Sequence, residues 1–290
     1  MKRLKKLDFR DFNQANSHET HSGRCRHVGG ILWITGYTDL FGAGRNMRLT
    51  VLSKLFRWEP SREVLVSTMA GFVILGLSAL MIPTRDVPWV SILIRDIGMI
   101  FLIGIFFPLV YMQSSGRSFN EFGLTLRRWY IVFPINFILG VLLLLLFLSE
   151  NPDAQLHLDG KSLASISFIM LAGVFEVVFF YSFQRTLFER AFGIIPGIIV
   201  AALFYSFHHL GFQPEFGKLF FVGLMYATTF RMGNSAFMIY PFFWGVGGCY
   251  DVLVQSQKVL PISYPELRSL YLGFLIVALL AWIIRSGRRK

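Results

Sequence analysis

The chain has 290 residues, 54% of them hydrophobic, and a mean hydropathy of +0.55. This excludes a soluble domain of ordinary composition, and because the apolar runs are continuous rather than alternating, it also excludes a strand-built barrel. The formal net charge of +11 does not point to nucleic acid, because the basic residues are spread along the chain: Arg117, Arg127, Arg128, Arg185, Arg190 and Arg231 fall in alternate connections, with Arg285, Arg288, Arg289 and Lys290 at the end.

In chain order, residues 1–60 read as a polar, basic cytoplasmic tail. Within it, residues 1–46 are either a disordered tail or an extension upstream of the natural start, since Met47 opens a more ordinary beginning. His18, Glu19, His21, Cys25 and His27 crowd together there, but their spacing fits no zinc motif, which needs two His at i and i+4. Residues 61–290 read as one membrane-embedded domain. A spanning helix needs about 20 mostly apolar residues. Eight segments qualify or come near: 64–83, 87–113, 129–149, 162–184, 192–212, 216–230, 234–255 and 267–284. The expected fold is therefore an all-α polytopic bundle of about eight transmembrane helices. Residues 119–128 read as an amphipathic linker on the membrane surface.

The loops opposite the arginine-bearing ones are less basic, and Glu150, Asp153 and Asp159 lie in one of them. This is the positive-inside pattern, and it places both termini in the cytoplasm. Trp58, Trp89, Trp129 and Trp282 stand near helix ends, where interfacial anchors belong. The expected setting is the plasma membrane of a prokaryote. Two cysteines, Cys25 and Cys249, do not make a disulfide framework.

Two ionisable side chains interrupt this apolar sequence at matched positions. Glu176 stands 16 residues before Phe192 and His208 stands 16 residues after it. If the two segments are antiparallel helices joined at Ala191-Phe192-Gly193, each residue lies about 24 Å from the turn at a rise of about 1.5 Å per residue. Intramembrane ionisable groups are costly and mark functional sites by default. A carboxylate and an imidazole in one layer suit a general base and its partner.

The segment Glu176-Val-Val-Phe-Phe-Tyr-Ser-Phe-Gln-Arg-Thr-Leu-Phe-Glu-Arg-Ala-Phe-Gly193 resembles the first motif of the CPBP family of intramembrane proteases, which includes the enzymes that cut prenylated CAAX proteins. That motif reads Glu-Glu-x-x-x-Arg, followed by an apolar stretch ending near Glu-Arg-x-Phe-Gly. Aligned on Glu189-Arg190-Ala191-Phe192-Gly193, Glu176 takes the first Glu, Val177 the second, and Tyr181 the Arg. The family's second motif, Phe-x-x-x-His, is matched in full by Phe204-Tyr-Ser-Phe-His208. The third, His-x-x-x-Asn, is missing. Trp244 or Gly245 stands in place of its His, and Gly248 or Cys249 in place of its Asn. The resemblance covers roughly residues 162–255 and implies that Glu176 activates a water with the help of His208. The expected partners are membrane lipids and a membrane-associated protein or peptide substrate, without nucleic acid.

Supporting roles are open to Arg95 and Asp96 in the second span and to Asp251 in the seventh. Arg95 in particular is a candidate partner for Glu176 in place of the motif Arg. Gly245, Gly247 and Gly248 offer backbone N–H donors if the helix breaks there. His209, about 100° around an ideal helix from His208, reads as interfacial. Each residue also has a plain structural reading: Glu176 as a bonded bundle carboxylate, His208 as a core histidine, Arg95 and Asp96 as an intrabundle pair. No cofactor is expected. Zinc would find only Glu176 and His208, short of the usual three ligands. The alternatives to a peptidase are a catalytically weakened relative that binds peptides, which the missing third motif favours, and a proton-coupled transporter.

Overall fold

A computed structural model describes residues 52–84, 86–126, 129–153, 155–211, 213, 215–235, 242–254 and 262–287, with 242–247 described as backbone only. The expected tail up to residue 51, with His18, Glu19, His21, Cys25 and His27, lies outside the described residues. Among these residues there is no strand, and eight helices have 12 or more residues: α1 Arg62–Leu80, α2 Pro88–Ser114, α3 Trp129–Glu150, α4 Gly160–Phe192, α5 Ile194–Phe207, α6 Phe216–Gly233, α7 Phe242–Leu253 and α8 Pro265–Gly287. Five of them (α1, α2, α3, α4 and α8) are long and apolar enough to cross a membrane, and α5 is apolar but shorter.

Local chemistry starts and stops these helices where the chain must turn. Ser61 caps α1 by accepting from the Val64 N–H, and Asp159 caps α4 by accepting from the Ser162 N–H at 2.7 Å. The second bond holds the exposed Asp159 carboxyl below its usual range. Gly193 separates α4 from α5 with φ +94°. A Cβ there would also stand 2.4 Å from the Leu55 carbonyl oxygen, so the position excludes a side chain twice over. Residues 56–59, expected in the tail, run along this turn instead. Arg57 N–H and Glu59 N–H donate to the Phe192 and Ala191 carbonyls at 3.0 and 2.8 Å.

The helix α4 is the central post, since every side chain from Val177 to Gln184 is buried. It runs eight residues past the expected end at Gln184 because its charges are satisfied in place. Glu189 accepts from Arg185 one turn back and from Arg231 Nε of α6 at 2.7 Å. α3 presents a lipid-type face, with Ile138, Leu142, Leu145 and Leu146 exposed. Trp58, Trp89, Trp129 and Trp282 are all exposed near helix ends. Two stretches wind as π-helix, Leu93–Phe106 in α2 and Val177–Gln184 in α4. Such windings gather at functional sites; Arg95 and Asp96 open the first, and Glu176 immediately precedes the second.

Candidate functional site

The matched spacing about Phe192 brings its two residues together. Glu176 Oε1 lies 3.5 Å from His208 Nε2, and the two side chains are 9% and 1% exposed. Because α4 and α5 leave the Gly193 turn side by side, equal residue counts give equal heights.

The imidazoles are held by the end of α5. A helix leaves its last carbonyls without intrahelical donors, and here the Tyr205 carbonyl serves both rings. It lies 2.5 Å from His208 Nδ1 and 2.9 Å from His209 Nδ1. A carbonyl can only accept, so both Nδ1 atoms carry a proton, and a ring in its neutral form then has Nε2 as its lone pair. Phe175 and Phe180 wedge the His208 ring at centroid distances of 5.2 and 4.9 Å. From α1, the Ser78 hydroxyl donates to the His208 carbonyl at 2.5 Å and accepts from the Gly211 N–H at 3.1 Å. A Cβ on Gly211 would stand 2.1 Å from the Ser78 carbonyl oxygen, so glycine is what lets this staple close.

His209 departs from expectation. It is buried, not interfacial, and its ligand atom joins those of Glu176 and His208, all within 4.8 Å of one another. The 100° separation holds only in an ideal helix; α5 ends at Phe207, and His208 to Gly211 form a turn. The potential ligand count thus rises from two to three, a Glu and two His. That is the donor set of some catalytic zinc sites, with both rings anchored through Nδ1–H as metal-binding histidines usually are. The same triangle of acceptors also suits one water, which can donate to two of its members.

A cavity of about 450 Å³ reaches the three residues, and its wall includes Arg95, Tyr226, Gly248, Asp251 and Arg268. Arg95 and Asp251 therefore share the space of Glu176, as the sequence reading allows. Asp96 is turned away into a buried pair: Arg268 of α8 donates to it from Nε at 2.7 Å and from Nη2 at 2.6 Å, and the Tyr271 hydroxyl donates as well. Phe204 faces α1, packing edge-on to Phe72 at 5.5 Å, rather than entering the site. Tyr181, in the motif Arg position, is fully buried between the Tyr205 and Tyr226 rings, and its hydroxyl makes no hydrogen bond among the described residues.

Sequence reasoning missed Tyr205, Tyr226 and Arg268. The signal for Arg268 was available, as a lone cation at the head of the last apolar segment. Tyr205 acts through its backbone, which no residue pattern reveals. Gly245, Gly247 and Gly248 lie within one continuous helix, Phe242–Leu253, so the helix break that would free their N–H groups is not present among the described residues.

No family model, curated protein or solved structure matches the chain.

Proposed function

We propose that the protein is an intramembrane peptidase of the CPBP kind, in which Glu176 activates water for attack on a peptide bond of a membrane-associated protein or peptide. The observation that carries this reading is the 3.5 Å approach of Glu176 to His208 in a cavity large enough to admit a peptide segment. A water bridging Oε1 and Nε2 passes a proton to Glu176 as its oxygen attacks the carbonyl carbon. The tetrahedral oxyanion then needs hydrogen-bond donors. The family's third-motif His is absent, and Arg95 and Tyr226 on the cavity wall are the donors that replace it in this scheme. The accepted proton goes on to the leaving amine.

The bundle supports a membrane setting: five of its helices are long and apolar enough to cross a membrane, and in the proposed topology the arginine-bearing ends face the cytoplasm. Comparing peptide cleavage by wild type and Glu176→Gln in the same membranes tests the proposal. A peptidase loses cleavage, whereas a peptide-binding relative retains capture of the peptide with or without Glu176 ionised.

A second reading rests on the three potential ligand atoms of Glu176, His208 and His209, which lie within 4.8 Å of one another, with both rings held by the Tyr205 carbonyl. In it, Glu176, His208 and His209 hold a divalent cation such as zinc, which would supply a polarised water. The chain's own contribution is then to orient the three ligands and keep the rings in one tautomer.

A further inference from the structure

The arginine-rich end of the bundle holds a second cavity, of about 380 Å³, remote from Glu176 and not used by the peptidase reading. Arg57, Arg185, Arg190 and Arg231 line it together with Glu121 and Glu189. Both carboxylates are already engaged. Glu189 takes Arg185 and Arg231 on its two oxygens, and its main-chain carbonyl accepts from Arg57 Nε and Nη2 at 3.3 and 3.0 Å. Glu121 takes Arg190 Nη2 at 2.8 Å on one oxygen and the Ser118 N–H at 3.0 Å on the other. At the rim, Glu59 reaches only 4.0 Å from Arg57 and is mostly exposed. Four guanidiniums against two carboxylates and this rim Glu leave at least one positive charge in surplus.

One guanidinium donor is also unsatisfied. Arg190 Nη1 is buried and has no hydrogen-bond partner among the described residues, although the group lies 5.0 Å over the Phe122 ring. Buried donors are almost always paired, and a guanidinium donor is best met by a phosphate or carboxylate oxygen. The mouth of the cavity is apolar as well as basic, for Met232 lines it and is 79% exposed, with Trp58 nearby along the segment after Arg57 and 80% exposed. Basic pockets between helices at a membrane interface take anionic headgroups.

We propose that this cavity binds a phosphate group, with Arg57 and Arg190 as its recognising residues, and that the apolar mouth favours the phosphate of an anionic phospholipid. The test is thermal unfolding of the full chain in nanodiscs of phosphatidylcholine alone, in nanodiscs containing phosphatidylglycerol, and in phosphatidylcholine nanodiscs with added inorganic phosphate. The expected result is an upward shift of the midpoint with phosphatidylglycerol that is lost in Arg57→Gln and in Arg190→Gln. Arg117→Gln, at the same end but outside the cavity and paired with Glu63, should retain it. A shift produced equally by inorganic phosphate keeps the site but assigns it to a soluble phosphorylated ligand. No shift from either probe, or a shift lost equally in Arg117→Gln, defeats the proposal. Each variant is compared with its own baseline in phosphatidylcholine, so a general loss of stability does not mimic loss of binding.

Discussion

Arg268 and Asp96, 172 positions apart, form a doubly hydrogen-bonded ion pair with side chains 6% and 0% exposed, fastening α8 to α2 beside the candidate site. Both Arg268 and Arg95 stand over the Phe168 ring, at 4.0 and 5.4 Å. Removing one partner of such a pair strands the other in a dry interior, which costs about 3–5 kcal/mol, whereas replacing both by apolar residues is often neutral. Arg268→Met should therefore lower the unfolding midpoint sharply, and Asp96→Leu combined with Arg268→Met should recover most of the loss. Unfolding in detergent measures both; equal losses for the single and double variants would contradict the pairing argument.

Gly193→Ala should destabilise the α4–α5 turn. The new Cβ meets the Leu55 carbonyl oxygen at 2.4 Å, and φ +94° is itself unfavourable to any residue with a side chain, a strain of about 1–3 kcal/mol. Because this turn sets the relative height of Glu176 and His208, the variant should also lose activity out of proportion to its remaining folded fraction. Measuring both on the same sample checks the link.

Much of this arrangement was legible beforehand, for reasons that can be named. Glu176 and His208 could be paired by counting because both helices start from one glycine turn and rise at the same rate. The helical segments were legible from their apolar length, but the end of α4 was not, since Arg185 and Glu189 look like loop residues until Arg231 of α6 is seen to share their charge. His209 was misplaced because helix geometry was extended two residues past the end of α5 at Phe207. Asp96 was read as pairing with Arg95, whereas its hydrogen-bonded partner is Arg268 at the head of α8, too far along the chain for any local pattern to reveal.

Metal removal separates the two readings of the site. With Glu176 as a base acting on a free water, dialysis against a chelator should leave cleavage unchanged, and His209→Ala should reduce it less than His208→Ala. Loss of cleavage on chelation, return with zinc, and a bound zinc equivalent abolished by either His→Ala change would instead assign the three residues to a cation.

Tyr205 contributes through its carbonyl, so Tyr205→Phe should keep both imidazoles in place and preserve activity to within a few-fold. Its ring packs edge-on to His209 at 4.9 Å, and Tyr205→Ala should weaken the packing beneath the cluster and cost stability of about 3–5 kcal/mol, as for other buried aromatic truncations. Melting curves of the two variants distinguish a structural ring from a catalytic hydroxyl. Activity lost in Tyr205→Phe would point to the hydroxyl.

The central claim is that Glu176 makes a nucleophile of water inside the bundle. The most direct measurement is a mass-spectrometric comparison of newly formed N-termini among membrane proteins and peptides exposed to wild type or to Glu176→Gln, with equal folded amounts of each. The account predicts a set of cleavages present with wild type and reduced about 10²–10⁴-fold in Glu176→Gln. Cleavage sets indistinguishable between the two proteins would contradict it.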